Sequence, residues 1–394
     1  MAQRALMCAS LAKGKSVLSP KPVGEDCELL MRALRQFGVV MEDNSLGLFE
    51  IIGVSEKFHS PSKIISMGNN GTGVRILSAL SMFINGNVTI DGNERLRERP
   101  MKEMFDVYQQ LRIVFEANNN SLPVTVRGGN IFGREIYLDT SRSSQFLSAL
   151  LLVAPLAKNG FTIHCTQEIV SEKYVAMTID VMKQFRVNVQ RTSHSFTVPQ
   201  QSYNPQTIIL EPDVSSASYF FAAAAITNGE VTLENISRNS LQADLFFLDI
   251  LERMNCKIVW RENSVTVFGN ALRGISVDCN HCPDIVPTLA VVAAFANGET
   301  DITNVAHLRH KESDRIAVLA RELKNIGAAV IEREDGLKII SHKTHSAIIH
   351  PENDHRIAMS FAVAGLRIPN VEITEANCVE KSFPNFWYEF CNEE

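Results

Sequence analysis

Six basic residues fall where a polar loop gives way to an apolar run: Arg75, Arg99, Lys311, Arg315, Arg356 and Lys381. The chain as a whole is acidic, with 38 lysines and arginines against 44 aspartates and glutamates, so these cations do not reflect a generally basic surface. Arginine grips carboxylate and phosphate through paired N–H donors, and lysine supplies a point charge. Cations gathered at such junctions suit small ligands of multiple negative charge. Two carboxylates share the same segments: Asp284 in Pro283-Asp284, and Glu312 in Lys311-Glu312-Ser313-Asp314-Arg315. Either can exchange a proton with a bound ligand, or serve as an ordinary cap or an ion pair with Lys311 or Arg315.

The loops that carry these residues read as helix starts. Asn69-Asn70-Gly71-Thr72-Gly73, Ser143-Ser144-Gln145, Ser215-Ser216, Pro283-Asp284 and Asp354-His355-Arg356 each precede a strongly apolar run. A helix N-terminus presents unpaired N–H groups and a partial positive charge, so several facing one ligand make an anion site. Taken singly, each loop is an N-cap and nothing more. The accompanying cations turn the set towards anion binding.

The elements that must position these loops repeat. Apolar runs end at Gly14, Gly86, Gly160, Gly229 and Gly298, with a sixth near Asn370, and a short β-branched segment follows each. The period is about 70 residues, too long for helical or leucine-rich solenoids of ~20–45 residues, so each unit is a small α/β module. The runs Arg75 to Phe83, Phe146 to Ala157, Ser218 to Ile226, Val286 to Ala296 and Ile357 to Leu366 are apolar nearly all round and predict buried helices. Amphipathic helices are predicted at Cys27 to Gln36, Met101 to Leu111, Val175 to Phe185, Leu241 to Met254 and Arg315 to Ile326, with closing strands such as Val187 to Val189 and Ile258 to Trp260. Six modules divide into two domains, 1–212 and 213–394, with Glu211-Pro212-Asp213 as the hinge. The first module opens directly on helix-like residues and reads as incomplete.

Composition narrows the class. A chain of 394 residues, 45% hydrophobic, buries a large core and is neither disordered nor a cysteine-stapled scaffold. Phe146 to Ala157 is too short to span a bilayer and contains Pro155. The expectation is a cytoplasmic monomer whose eight cysteines are reduced, with no membrane or nucleic-acid partner and no metal. Cys279-Asn280-His281-Cys282 lacks the second pair that a zinc finger needs and reads as packing.

Gly68-Asn69-Asn70-Gly71-Thr72 with Arg75, Arg97-Glu98-Arg99-Pro100, Ser143-Ser144-Gln145-Phe146-Leu147, Lys311 to Arg315, Asn353-Asp354-His355-Arg356 and Lys381-Ser382-Phe383-Pro384 together resemble the motif series of the 5-enolpyruvylshikimate-3-phosphate synthase family, in order and over essentially the whole chain. The resemblance implies a two-domain inside-out α/β barrel with three βαβαββ repeats per domain. It places the helix N-termini at the interdomain cleft. It implies transfer of the enolpyruvyl group of phosphoenolpyruvate to the 5-hydroxyl of shikimate 3-phosphate, releasing phosphate, in aromatic amino-acid biosynthesis, without a cofactor. Gly71, Arg99, Gln145, Arg315, Arg356 and Lys381 would then hold phosphoenolpyruvate. Arg4, Ser143, Ser144, Gln145, Ser171, Asp284, His307 and Lys311 would hold shikimate 3-phosphate, mainly in the first domain, with Tyr174 beside Ser171. Asp284 would be the general base, Glu312 the group that protonates the methylene carbon, and Lys381 a third catalytic residue.

The chain departs from the family pattern at some points. His307 stands where the family often has Asn, and Ile76 where Pro is common. The family's Ser-Lys-Ser segment ahead of Ala2-Gln3-Arg4 is not in the sequence, nor is the upstream strand that would complete the C-terminal domain. The expectation drawn from this is an unpaired strand edge and a weak or inactive, anion-binding homologue. A UDP-N-acetylglucosamine enolpyruvyl transferase is the other alternative, disfavoured by Ser143-Ser144-Gln145, by the Lys311 to Arg315 segment and by the lack of a cysteine in the expected loop.

Overall fold

The computed structural model describes residues 1–45, 48–54, 58–129 and 131–392. It separates into two compact units, Met1–Leu210 and Glu211–Glu394. Six helices are buried on nearly every side: Ala2–Leu11, Gly71–Ser81 and Gln145–Val153 in the first unit, Val214–Thr227, Val286–Ala293 and His355–Gly365 in the second. Their sequences lack a polar face, so they are stable only where other elements surround them. The sheets do this. In Ser121–Gly128, for example, Leu122, Val124 and Val126 point inward while alternate residues are at least partly exposed, the period of a strand with one covered face. Helices lie inside and sheets outside in each unit.

Among the described residues the first unit has three four-stranded sheets. Each joins one parallel pair to an antiparallel pair: Ile65–Ser66 and Glu135–Leu138 run parallel to Gly86–Asp91 and Phe161–Cys165 respectively. The first module is completed differently. Its central strand Lys13–Ser19 takes Thr207–Ile209 as its parallel partner, so the sheet that looked incomplete from the sequence is filled from the far end of the unit. In the second unit Ser276–Asp278 runs parallel to Glu299–Thr303 and Ile348–Ile349 to Glu372–Ile373. The sheet of Glu230–Glu234, Ser264–Phe268 and Lys257–Trp260 has three strands among the described residues, with polar, part-exposed Glu230–Glu234 at one edge.

Each buried helix turns into its strand through a sharp reversal. At Gly160 φ is +64°, and a Cβ would lie 2.2 Å from the Val198 carbonyl oxygen, so only glycine fits. One strand prediction fails. Val187 to Val189 is not in the ladder; the strand is Gln190–Arg191, because the Val187 N–H closes the preceding helix on Met182 O and the Asn188 N–H is taken by Gln201 Oε1. The buried helices share a further regularity: Cys8, Ser78, Ser148, Ser218 and Thr288 are 70 residues apart by subtraction, and Ser360 follows after 72. In the second unit three of these meet. Ser218 Oγ lies 3.2 Å from Thr288 Oγ1, which lies 3.4 Å from Ser360 Oγ, a hydroxyl contact joining all three inner helices.

Candidate functional site

In the first unit the helix starts are tied to one another. Asn70 caps Gly71–Ser81 by accepting the Gly73 N–H at 2.7 Å, and its amide donates to Asp26 O and to Gln3 Oε1 on the first helix. Arg99 is buried and packs flat against Gly71: a Cβ there would lie 2.3 Å from Arg99 Nη1. The absence of a side chain at Gly71 therefore sets the place of a guanidinium. Arg75 is held by Gly71 O at 2.8 Å and Pro100 O at 3.3 Å and lies over the Phe146 ring, so it supports the loop from behind.

The third helix start joins this group. Gln145 donates its amide to Thr72 Oγ1 at 3.3 Å, while Gln145 Oε1 is buried and meets no donor among the described residues. A buried acceptor without a donor is uncommon, and a ligand hydroxyl would satisfy it. Ser143 Oγ accepts the Gln145 N–H at 3.3 Å, and Ser144 Oγ donates to Ser171 O at 3.4 Å. Ser171 is buried with φ +55°, a left-handed conformation that costs a serine about 1–2 kcal/mol. Arg4 donates to Thr178 Oγ1 at 2.6 Å and to Tyr174 O at 3.4 Å, and burial pulls its guanidinium down to about 10. Arg4, Gly71, Arg99, Ser143, Ser144, Gln145 and Ser171 thus form one connected set.

In the second unit the corresponding groups make an ion-pair network. Asp284, in the turn Pro283–Ile285, is held by Arg315 Nη1 at 3.1 Å and Arg356 Nη2 at 3.0 Å. Glu312 is held by Arg315 Nη2 at 2.8 Å and Lys381 Nζ at 3.2 Å. Arg315, at the start of Arg315–Asn325, is 1% exposed and joins both carboxylates to a third, Asp354. Asp284 and Glu312 therefore both form the ion pair with Arg315 that the sequence offered as an alternative.

Charge governs what these groups can do. Burial pushes the Asp284 carboxyl up, but Arg356, Lys311 and Arg315 outweigh it and hold Asp284 well below the usual carboxylate range. Burial, and then Lys311, pull His307 down to about 4, and its Nε2 is buried with no hydrogen-bond partner among the described residues. His307 is a neutral imidazole near neutral pH. Lys381 ends the turn Ala376–Lys381, and the aromatic cluster of Phe220, Phe383 and Phe386 packs just beyond it.

Two buried carboxylates escaped the sequence reading. Asp354 caps His355–Gly365 through the Arg356 N–H at 3.0 Å and also accepts from Ser313 Oγ at 3.0 Å and Arg315 Nε at 2.8 Å. Its segment was singled out for a cap and an arginine, and the spacing gives no sign that the cap also orients Arg315. Asp244, in the turn Ala243–Leu245, is the other, and it accepts from the Ser215 hydroxyl at the start of Val214–Thr227.

With this geometry in view, the chain can be set beside known proteins. A family model described as EPSP synthase (3-phosphoshikimate 1-carboxyvinyltransferase) matches residues 1–390. The chain belongs to the EPSP synthase family. It is 41% identical to the 3-phosphoshikimate 1-carboxyvinyltransferase of Syntrophobacter fumaroxidans, over 98% of this chain and 93% of that protein. The enzyme of the same name from Methanospirillum hungatei is 40% identical, with 98% and 92% covered. A solved EPSP synthase from Acinetobacter baumannii superposes with a TM-score of 0.81 at 27% identity, over 98% of this chain and 91% of that one. The enolpyruvyl transferase NikO of Streptomyces tendae, at 15% identity and a TM-score of 0.77, shares the fold. The two-domain inside-out α/β fold expected from the motif series is thus the fold of this EPSP synthase family member.

Proposed function

We propose that the chain transfers the enolpyruvyl group of phosphoenolpyruvate to the 5-hydroxyl of shikimate 3-phosphate and releases phosphate, as a cytosolic monomer. The observation that carries this reading is the second-unit network, in which two carboxylates are each held by two cations. Such a network is poised for an anionic ligand with proton chemistry at two places. Membership of the EPSP synthase family supplies the substrates.

The roles follow from the contacts. Asp284 would take the proton of the 5-hydroxyl as that oxygen bonds to the central carbon of phosphoenolpyruvate, while Glu312 would deliver a proton to the methylene carbon. Expulsion of phosphate, which carries off the proton held by Asp284, and return of a methyl proton to Glu312 then give the product, so both carboxyl groups end as they began. A carboxylate clamped by two guanidiniums is a weak base. An anionic substrate that draws Arg315 and Arg356 to itself would leave Asp284 more basic when the hydroxyl arrives. Arg315, Arg356 and Lys381, with Gly71, Arg99 and Gln145 of the first unit, would hold phosphoenolpyruvate. Arg4, Ser143, Ser144, Gln145 and Ser171, with Asp284, His307 and Lys311, would hold shikimate 3-phosphate, His307 as a neutral N–H donor.

A phosphate-release assay tests this. Release should require phosphoenolpyruvate and shikimate 3-phosphate together. Release with UDP-N-acetylglucosamine in place of shikimate 3-phosphate, or binding of both substrates without turnover, would overturn it.

A further inference from the structure

We propose that Thr178 is a positioning residue, one that fixes the Arg4 guanidinium without neutralising it and so keeps its charge for shikimate 3-phosphate. The proposal rests on Arg4 being a ligand of that substrate. Thr178 lies on the helix Glu172–Gln184, whose other buried residues are Val175, Met177, Val181 and Met182. It is the only polar member of that buried stripe, and it is fully enclosed. Packing alone would be served as well by valine, which has the same branched shape. A buried hydroxyl needs partners, and this one has several. Thr178 Oγ1 accepts from Arg4 Nε at 2.6 Å, donates to Tyr174 O at 2.8 Å and has Ser148 Oγ at 3.0 Å.

These contacts join three elements. Arg4 belongs to Ala2–Leu11, and Ser148 to Gln145–Val153, the helix that begins just after Ser143 and Ser144. Arg4 donates a second time to the helix of Thr178, from Nη2 to Tyr174 O at 3.4 Å. One edge of the guanidinium is thereby fastened to Glu172–Gln184, and a rigid plane held along one edge gives its Nη1 donors a set direction. Arg4 is 8% exposed, and its hydrogen-bond partners among the described residues are both neutral. Arg315 and Arg356, by contrast, already hold carboxylates. A buried cation without an opposite charge is costly, and an anionic ligand would offset that cost. A carboxylate in place of Thr178 would aim Arg4 equally well but would cancel the charge that the substrate needs. A hydroxyl aims it and leaves the charge standing.

Thr178→Val keeps the shape and leaves the Arg4 Nε–H without its acceptor. By calorimetry on the full chain, the Kd for shikimate 3-phosphate should rise roughly tenfold, and Thr178→Ser should hold it within about twofold of wild type. In an Arg4→Gln background Thr178→Val should change that Kd by less than about twofold, because Thr178 acts through Arg4. An unchanged Kd in the single variant, a serine variant as weak as the valine one, or an equal rise in both backgrounds overturns the proposal.

A second measurement does not need the substrate. In 1H–15N spectra of the arginine-labelled chain, the Arg4 Nε–H signal is identified by its absence from the Arg4→Gln variant. Its exchange with solvent should quicken at least about tenfold in Thr178→Val and stay slow in Thr178→Ser; exchange indifferent to Thr178→Val overturns the proposal. If that dependence is seen in a chain that does not bind shikimate 3-phosphate, the functional reading fails and the positioning of Arg4 stands.

Discussion

Asp284 and Gly71 are the residues at which geometry makes its sharpest demands. Replacing Asp284 with Asn leaves Arg315 and Arg356 in place and removes the proposed base, so turnover should fall by about 10²–10⁴-fold, the usual worth of a general base, while calorimetry still shows phosphoenolpyruvate binding. Gly71→Ala acts by volume. The new methyl would overlap Arg99 Nη1, so Arg99 must move, and the KM for phosphoenolpyruvate should rise by about tenfold with circular dichroism unchanged. At this scale the sequence revealed the cations and two of the carboxylates, Asp284 and Glu312, but not the carboxylate that orients Arg315. Arg315 and Arg356 stood out because an arginine after a helix cap, repeated across modules, has few structural uses. Asp354 did not, because a carboxylate before a helix looks the same whether it caps a backbone or holds a guanidinium.

Elements were legible where the signal is local. Buried helices declare themselves by apolar residues on every side, and the six stand close to where those runs lie, with starts set by caps such as Asn70 and Asp354. The closing strand at Gln190–Arg191 was misplaced because nearby turn and side-chain hydrogen bonds claimed the N–H groups of the more apolar residues before it. The hydroxyl contact through Thr288 gives a test of how the inner helices are held. Thr288→Val should cost only about 0.5–1.5 kcal/mol in chemical denaturation, because Ser218 still donates to Ser215 O and Ser360 to Arg356 O. Gly160→Ala should cost more than Thr288→Val, since left-handed strain of about 1–2 kcal/mol adds to the clash with Val198 O.

For the molecule as a whole, the pH dependence of stability follows from groups that burial has shifted. Burial, and then Lys381, pull His355 down to about 3, and His307 is at about 4. Unfolded imidazoles take up protons below about 6.5 that the native chain refuses, so stability is greatest above that pH and falls as pH drops. Asp244 opposes this, because the native chain binds its proton below about 6 and the unfolded chain does not until about 3.8. Two protons against one leaves a net loss of roughly 1.4 kcal/mol per pH unit at most between pH ~6 and ~5. Denaturation midpoints measured across that interval should decline, and His355→Gln should flatten the decline. The six-fold repeat, visible in the spacing of glycines, foretold the number of modules. It could not foretell that the first sheet takes a strand from residues 207–209, because three residues carry no pattern that names a partner some 190 positions away.

That strand also bears on biosynthesis. A ribosome must deliver residue 209 before Lys13–Ser19 acquires its second neighbour, so the first sheet to be synthesised is the last in its half to be sealed. Until then a nascent polypeptide displays an open backbone edge to chaperones, and to other chains emerging alongside it.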